Sequence, residues 1–434
     1  MIAAALGLWE ELRGSRLLRA GLWMSLAGVA GGALGYLFQV LMGRLLSPAD
    51  FALFSAVMAL GMFASSPMSA LTMVVSRQVA SFVSLDHNGQ LWPLYTSVFR
   101  GIVFGAVILL ACTTLAQDAL QSYLHAPDAT PIWILYSLLV AVAVVALNTA
   151  FFQGYQSMGW LGGLGVAGVL AKLCLAVAFV SFGFGATGAL LAALCATLVT
   201  ALVGLARLRP MLPNSPESAA TSSTTFPLAA IAPVFIANVA FTAMTQLDMV
   251  LVNHYFDASQ AGHYAAASVL GKAVLYLPGG LVIALYPMVA GRYSARQGSS
   301  QLLVQSALAV LIVCGSAATV YWLLGTWLVG LLYGAAYAPA GELLELYGWA
   351  VLPMALVMVA EHFLIAQGRV LFAWLFLAVA PLQMLVIHLW HPDLRSVILV
   401  IGVGGSVMAI LGYGLLLREY LLSTPSIKES AAFR

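Results

Sequence analysis

Charge is what this sequence has least of. Charged residues are 7% of its 434 positions and hydrophobic ones 62%, whereas about a quarter of a water-soluble domain is charged. Too few ionic groups are present to coat a globule in water, which excludes a soluble enzyme or binding module and leaves lipid as the main solvent. Cysteine is scarce too. Cys112, Cys174, Cys195 and Cys314 lie inside apolar runs without CxxC spacing, which points to neither a zinc site nor a disulfide framework and leaves them as small core hydrophobes. The chain also lacks a nucleophile–base constellation and a metal-ligand motif. The longest connections on the outer side, 118–130 and 325–347, carry only His125, Glu342 and Glu345 beyond aspartates. That is meagre equipment for a membrane-bound polymerase or ligase.

What the sequence has is long, continuous apolar runs. A helix needs about twenty apolar residues to cross the hydrocarbon, and only helices or closed barrels satisfy their backbone there. The runs do not alternate, so they predict helices, at roughly 20–42, 51–75, 92–115, 131–152, 162–182, 185–206, 229–252, 263–289, 302–323, 344–366, 369–390 and 395–417. The basic start (Arg13, Arg16, Arg19) imitates a signal peptide, but the apolar run from Gly21 to Met42 is too long for one and suits a first span. Gly183–Gly185 predicts a tight hairpin between spans five and six. The single polar linker, "PNSPESAATSSTT", divides the spans six and six. The expected organisation is a lobe over 1–209 with a short cytoplasmic N-terminal segment, a cytoplasmic linker over 210–226, a second lobe over 227–417 and a cytoplasmic tail over 418–434.

The net charge of +2 conceals an asymmetry. With twelve spans, Arg13, Arg16, Arg19, Arg77, Arg207, Arg209, Arg292, Arg296, Arg369, Arg418, Lys428 and Arg434 fall on the side of the N-terminus, and only Arg44 and Arg395 fall clearly on the other. Asp50, Asp118, Asp128, Asp257, Glu342, Glu345 and Asp393 collect opposite the basic side. The positive-inside rule then places both termini in the cytoplasm.

The two sixes repeat. "GRLLSPADFALFSAVMALG" and "NHYFDASQAGHYAAASVLG" align at an offset of 210, matching Ala56 with Ala266, Leu60 with Leu270 and Gly61 with Gly271. Gln153–Gly154 matches Gln367–Gly368, each just after a fourth span. An even number of spans per half means a parallel repeat about an axis along the membrane normal. The fold class read here is all-α, a polytopic membrane protein of twelve transmembrane helices in two pseudo-symmetric six-helix lobes.

The stretches "GRLLSPADFALFSAVMAL", "VNHYFDASQAGHYAAASVLGK", "FQGYQ" and "LLYGAAYAPAGELLELYGWAV" together resemble the oligosaccharide flippases of the Wzx type, in the multidrug/oligosaccharidyl-lipid/polysaccharide exporter superfamily. The resemblance implies two lobes around a central V-shaped cavity, alternating access, and an undecaprenyl-pyrophosphate-linked oligosaccharide as cargo. The expected setting is then a bacterial cytoplasmic (inner) membrane and the biosynthesis of a surface polysaccharide such as O-antigen. Partners would be the lipid-linked oligosaccharide, membrane lipids and a polysaccharide polymerase or synthase machinery, with no nucleic acid. Lipid II flippases of the superfamily carry two further C-terminal spans, which counts against that branch.

Ionisable groups at bilayer depth are costly and therefore functional candidates. Lys172 lies midway along the fifth span, Lys272 in the outer half of the eighth, and Arg100 near the inner start of the third. These are the expected substrate-binding cations, since a crossing pyrophosphate needs its charge compensated throughout. Lys272 has an alternative, pairing with Asp248 across the hairpin of spans seven and eight, and Arg100 another, as an ordinary interfacial arginine. Asp248 and Glu361 are the candidates for coupling to a proton or sodium ion, the only small cofactor expected. Their alternatives are the Lys272 pair and a helix-end charge near Arg369. His254 and His263 read as solvated turn residues, and His388 and His391 as outer-interface residues without metal-ligand spacing. Adjacent positions on a helix do not share a face, so His362 does not extend Glu361. The glycine clusters at 31–35 and 162–168 read as packing surfaces, and Trp92, Tyr95, Trp322 and Trp390 as interfacial belts. A small-solute or multidrug antiporter on the same scaffold remains open, as does, more remotely, a membrane enzyme of polysaccharide assembly. Cationic drugs call for carboxylates and pyrophosphate for lysine and arginine, so the two lysines favour an anionic cargo.

Overall fold

The computed structural model describes residues 16–212, 228–279, 300–366 and 371–423. The linker run 213–226, Arg13, Arg292, Arg296, Gln367–Gly368, Arg369 and the tail beyond 423 lie outside them. The described residues are helical with short connections and no strands. The helices are α1 Arg16–Leu45, α2 Pro48–Ser65, α3 Pro67–Ser84, α4 Leu91–Tyr123, α5 Thr130–Gly154, α6 Met158–Ser181, α7 Gly185–Leu208, α8 Leu228–Tyr255, α9 Ala258–Tyr276, α10 Ser300–Tyr333, α11 Ala340–Ala366, α12 Leu371–Leu389 and α13 Leu394–Ser423. Among the described residues, 11 segments are long and apolar enough to cross a membrane. The chain is a multi-pass membrane protein. The eighth expected span corresponds to α9 and residues beyond 279 that are not described.

Two differences from the sequence reading have simple causes. The second span is a broken helix. Proline has no N–H to continue the ladder, so α2 ends at Ser65 and α3 restarts with Pro67 in its first turn, while the Ser66 hydroxyl donates to the Phe63 carbonyl at 2.7 Å. The connections expected over 118–130 and 325–347 are also shorter, because α4 runs on to Tyr123 and α10 to Tyr333. What remains is 124–129 and 334–339. The hairpin between α6 and α7 is as tight as its glycines suggest. Gly183 and Gly185 take φ of +87° and +51°, a region costly for residues bearing a Cβ.

The chain divides into two compact units, 1–227 and 228–434. Inside the first, α1 packs on α6, α2 and α3 on α5, α4 on α5, and α7 on both α5 and α6. Inside the second, α8 packs on α12, α9 on α11, α10 on α11, and α13 on both α11 and α12. The same scheme is thus drawn twice: first span on fifth, second on fourth, third on fourth, sixth on fourth and fifth. Glycine mirrors it at the 210 offset. A Cβ on Gly61 would meet Leu135 Cδ1 at 3.1 Å, and one on Gly271 would meet the Tyr347 ring at 2.2 Å. Of the glycine clusters, Gly162 is a contact point, its absent Cβ standing 2.8 Å from Ala27 Cβ, whereas Gly31, Gly32 and Gly35 face nothing within 4 Å.

Polar groups inside the units are few, and some are joined across helices. In the first, the Tyr95 hydroxyl donates to Asn148 Oδ1 at 3.0 Å, and Asn148 Nδ2 donates to the Ala201 carbonyl at 2.9 Å, joining α4, α5 and α7. Tyr95→Phe deprives a buried acceptor of its donor and is expected to lower stability by about 1–3 kcal/mol. A thermal-unfolding comparison in detergent checks this. An unchanged midpoint would mean that the amide finds another donor. In the second unit, Asp393 immediately precedes α13. The Ser396 hydroxyl and backbone N–H both donate to its carboxylate and hold it below the ordinary aspartate range.

Candidate functional site

The second unit contains a buried polar cluster built from α8, α9 and α11. Asp248 lies two turns before the end of α8 and is wholly inaccessible. Its Oδ1 receives Lys272 Nζ at 3.1 Å, and its Oδ2 receives the Tyr264 hydroxyl at 2.7 Å and the Tyr347 hydroxyl at 2.9 Å. The periodicity of α9 explains the convergence. Tyr264, Ser268 and Lys272 recur every fourth residue and share one face, and Ser268 Oγ meets Tyr347 Oη at 3.1 Å. Gly271, on the same face, lets the Tyr347 ring approach the α9 backbone. The rings of Tyr264 and Tyr347 meet edge to face at 5.8 Å.

A buried charge is tolerable only when paired and hydrogen-bonded. Here one carboxylate has an ammonium and two phenols, and the cluster has no net charge. A cavity of about 10 Å³ adjoins it, lined by Lys272, Tyr347, Thr245, Gln383 and apolar side chains of the same unit. That is room for about one water, to which the ammonium could turn its remaining protons.

The structure thus joins two residues to which the sequence assigned separate tasks. Lys272, expected to meet substrate, is engaged by Asp248, expected to couple ions. This is the hairpin pairing that the sequence left open. Lys172 differs. It is half-buried on α6, and its Nζ stands 4.2 Å from the centroid of the Phe38 ring of α1. Among the described residues it has no carboxylate partner. Arg100 is exposed on α4, and Glu361 is buried near the C-terminal end of α11 with no hydrogen-bond or ion-pair partner among the described residues. Arg369, its expected neighbour, lies outside them.

The 210 offset connects the two lysine environments. Asp248 and Tyr264 correspond to Phe38 and Phe54, whose rings pack edge to face at 5.8 Å. One unit therefore places a carboxylate and a phenol where the other places two phenyl rings. In each, a lysine ammonium reaches the residue at the first of these positions, from the second span in one unit and from the fifth in the other.

Sequence reasoning missed Tyr264 and Tyr347. The four-residue spacing of Tyr264, Ser268 and Lys272 would have revealed the first. Nothing local would have revealed the second, which is 99 residues from Asp248. It also missed a ring cluster at the C-terminal ends of α8 and α12, where the Tyr255 hydroxyl meets His388 Nδ1 and the Tyr255 ring stacks on His391 at 4.0 Å. His263 meets the Ala336 carbonyl at 3.0 Å. Among the described residues no group of three or more metal-ligating side chains gathers.

Comparison with known proteins gives consistent results. The family described as polysaccharide biosynthesis protein matches residues 17–291, and the MatE family matches 233–389. No curated protein matches. The fold is similar to an inward-facing multidrug resistance MATE family transporter of the MOP superfamily, at TM-score 0.73 and 14% identity over 90% of this chain and 96% of that one. The lipid II flippase MurJ in an inward closed conformation gives 0.68 and 14% over 92% and 87%. A MOP superfamily transporter from Pyrococcus furiosus, described as having a binding pocket of reversed polarity, gives 0.61 and 15% over 95% and 98%. At these identities the likeness concerns the fold.

Proposed function

The chain belongs to the polysaccharide biosynthesis protein family, and from that premise we propose that it is a flippase, not an enzyme, moving an undecaprenyl-pyrophosphate-linked oligosaccharide from the cytoplasmic to the outer leaflet of the bacterial inner membrane. Both termini lie in the cytoplasm in this reading, and transport proceeds by alternating access. The observation that carries the cargo assignment is the Lys172 ammonium, midway along a spanning helix, resting on an aromatic face and lacking a carboxylate partner among the described residues. A cation held that way keeps its attraction for a phosphate oxygen.

Lys272 contributes differently. Its charge is balanced by Asp248, so it reaches an anionic substrate only when that pair opens. A proton or sodium ion taken up by Asp248 would release the lysine, which couples ion entry to substrate binding without a separate device. Glu361 serves as a second carboxylate on the inner side, and Arg100 receives the headgroup near the inner mouth.

The purified chain, reconstituted into vesicles with a fluorescent undecaprenyl-pyrophosphate glycan, tests this. Lys172→Gln is expected to slow translocation by about ten- to a hundredfold, the worth of one charge-assisted hydrogen bond, and Lys172→Arg to be milder. Full-rate translocation by Lys172→Gln would remove the residue from the site. In cells, deletion should abolish a surface polysaccharide while its lipid-linked precursor accumulates on the inner leaflet. The MatE match over 233–389 and the Asp248 carboxylate favour a second reading, a small-solute antiporter. Intact surface glycan with raised drug sensitivity on deletion would select it.

A further inference from the structure

The two oxygens of Asp248 are not equivalent. Oδ1 has the lysine alone, whereas Oδ2 accepts from both Tyr264 and Tyr347. A carboxylate oxygen offers two lone pairs in its plane, so Oδ2 is fully occupied and Oδ1 is not. The phenols are fixed in place. Both tyrosines are completely buried, and the Tyr347 ring is held against the α9 backbone at Gly271. A phenol has one proton, and Tyr347 gives it to Asp248, so buried Ser268 donates to the Tyr347 oxygen and sets its direction.

Lys272 is less confined. The cavity of about 10 Å³ is lined by Lys272 but not by Asp248, and the ammonium is carried on a flexible four-carbon stem. When the pair opens, the lysine has somewhere to go and the carboxylate has not. Among the described residues, the ionisable groups that act on Asp248 are Lys272, Tyr264, Tyr347 and, farther off, Tyr276 of α9. The Tyr276 hydroxyl accepts from Gln246 Nε2 at 3.2 Å.

We infer that Tyr264 and Tyr347 are positioning residues that direct the coupling proton to Oδ1 of Asp248, the oxygen that Lys272 vacates. The inference rests on the reading above, in which this pair opens as a proton enters. A hydronium ion gives its proton to an Oδ1 lone pair, an O–H bond forms, and neutral water is left. Lys272 keeps its three protons, so the cluster passes from no net charge to one positive charge, the sign that an anionic cargo needs. Oδ2 becomes a carbonyl oxygen and still accepts from both phenols. A proton on Oδ2 would instead displace a phenol and leave a buried hydroxyl without its acceptor. Without the phenols, the carboxylate could turn and follow the ammonium, and the pair would stay closed.

Infrared difference spectroscopy of the full chain, purified in detergent and stepped from neutral to acid pH, reads the carbonyl stretch of a carboxyl group that takes up a proton. Isotopically labelled aspartate separates the aspartates from Glu361, and Asp248→Asn identifies the band of Asp248. A carbonyl that accepts hydrogen bonds stretches at lower frequency. The Asp248 band is therefore expected below the position of a free acid. It should shift upward in Tyr264→Phe, upward in Tyr347→Phe, and by the sum of the two in the double variant. Each single variant keeps one phenol and both rings, so the test survives a double variant that does not fold. A band at the free-acid position that neither substitution moves would overturn the inference. The absence of an Asp248 band at every pH that leaves the protein folded would overturn it too. The cargo reading would then be judged separately, by translocation in Lys172→Gln.

Discussion

Asp248→Ala lowers the stability of the protein by about 3–5 kcal/mol, the cost expected when one member of a buried ion pair is removed and the other charge is left in place. The size follows from the surroundings. Asp248 is 0% exposed and the Lys272 side chain 11%, so neither can turn to water without opening the packing of α8, α9 and α11. The phenols of Tyr264 and Tyr347 lose their common acceptor in the same step. The discriminating measurement is a double-mutant cycle by thermal unfolding. Asp248→Leu/Lys272→Met, which removes both charges, is expected to recover most of the loss, because an apolar pair of similar volume has no desolvation to overcome. If the double variant were no more stable than Asp248→Ala, the carboxylate would be acting through the tyrosines and not through the lysine. Transport separates the roles further. A stable but inactive double variant is expected if opening of this pair couples ion uptake to substrate binding.

The second large effect is expected at Gly271. An added Cβ there would stand 2.2 Å from Tyr347 Cδ1 and 2.8 Å from Cγ, far inside contact distance, and the obstacle is a ring embedded between helices. Gly271→Ala must push α9 from α11 or turn Tyr347 out of reach of Asp248. Overpacking of this kind costs about 1–3 kcal/mol, and a lost buried hydrogen bond adds to it. Gly31→Ala on α1 is the control. Nothing lies within 4 Å of its Cβ, and alanine in a helix is favoured over glycine by about 1 kcal/mol. Opposite shifts of the unfolding midpoint are therefore expected for the same chemical change. Equal shifts would mean that the approach of Tyr347 to the α9 backbone is not a constraint.

The contrast between these two glycines shows where sequence reading stops. Both lie within stretches that the sequence reads as spans. Gly271 was marked by its alignment with Gly61, but its partner ring was not, because Tyr347 belongs to a helix reached only after another span has intervened. Lys172 and Lys272 posed the same problem. Asp248 on the neighbouring span offered Lys272 a carboxylate, but the sequence left open whether that pair forms, and nothing local pointed to the phenyl ring on which Lys172 rests. Charge at bilayer depth identifies candidates; contacts between helices assign their work.

The sequence by itself determined that the chain lives in a membrane, roughly where most of its spans fall, and that Gly61 and Gly271 occupy corresponding positions. Those properties follow from composition and from periodicity within single helices, which neighbours in the chain decide. Only the tertiary structure decided that Asp248 gathers Lys272, Tyr264 and Tyr347, that Lys172 lies over Phe38, and that proline breaks the second span where hydropathy reads straight through. Lipid-facing and interior positions are equally apolar in such a chain, so the pattern that tells a soluble protein which side of a helix is inward is largely missing. Which faces meet is settled by shape and by the few polar groups that must find one another.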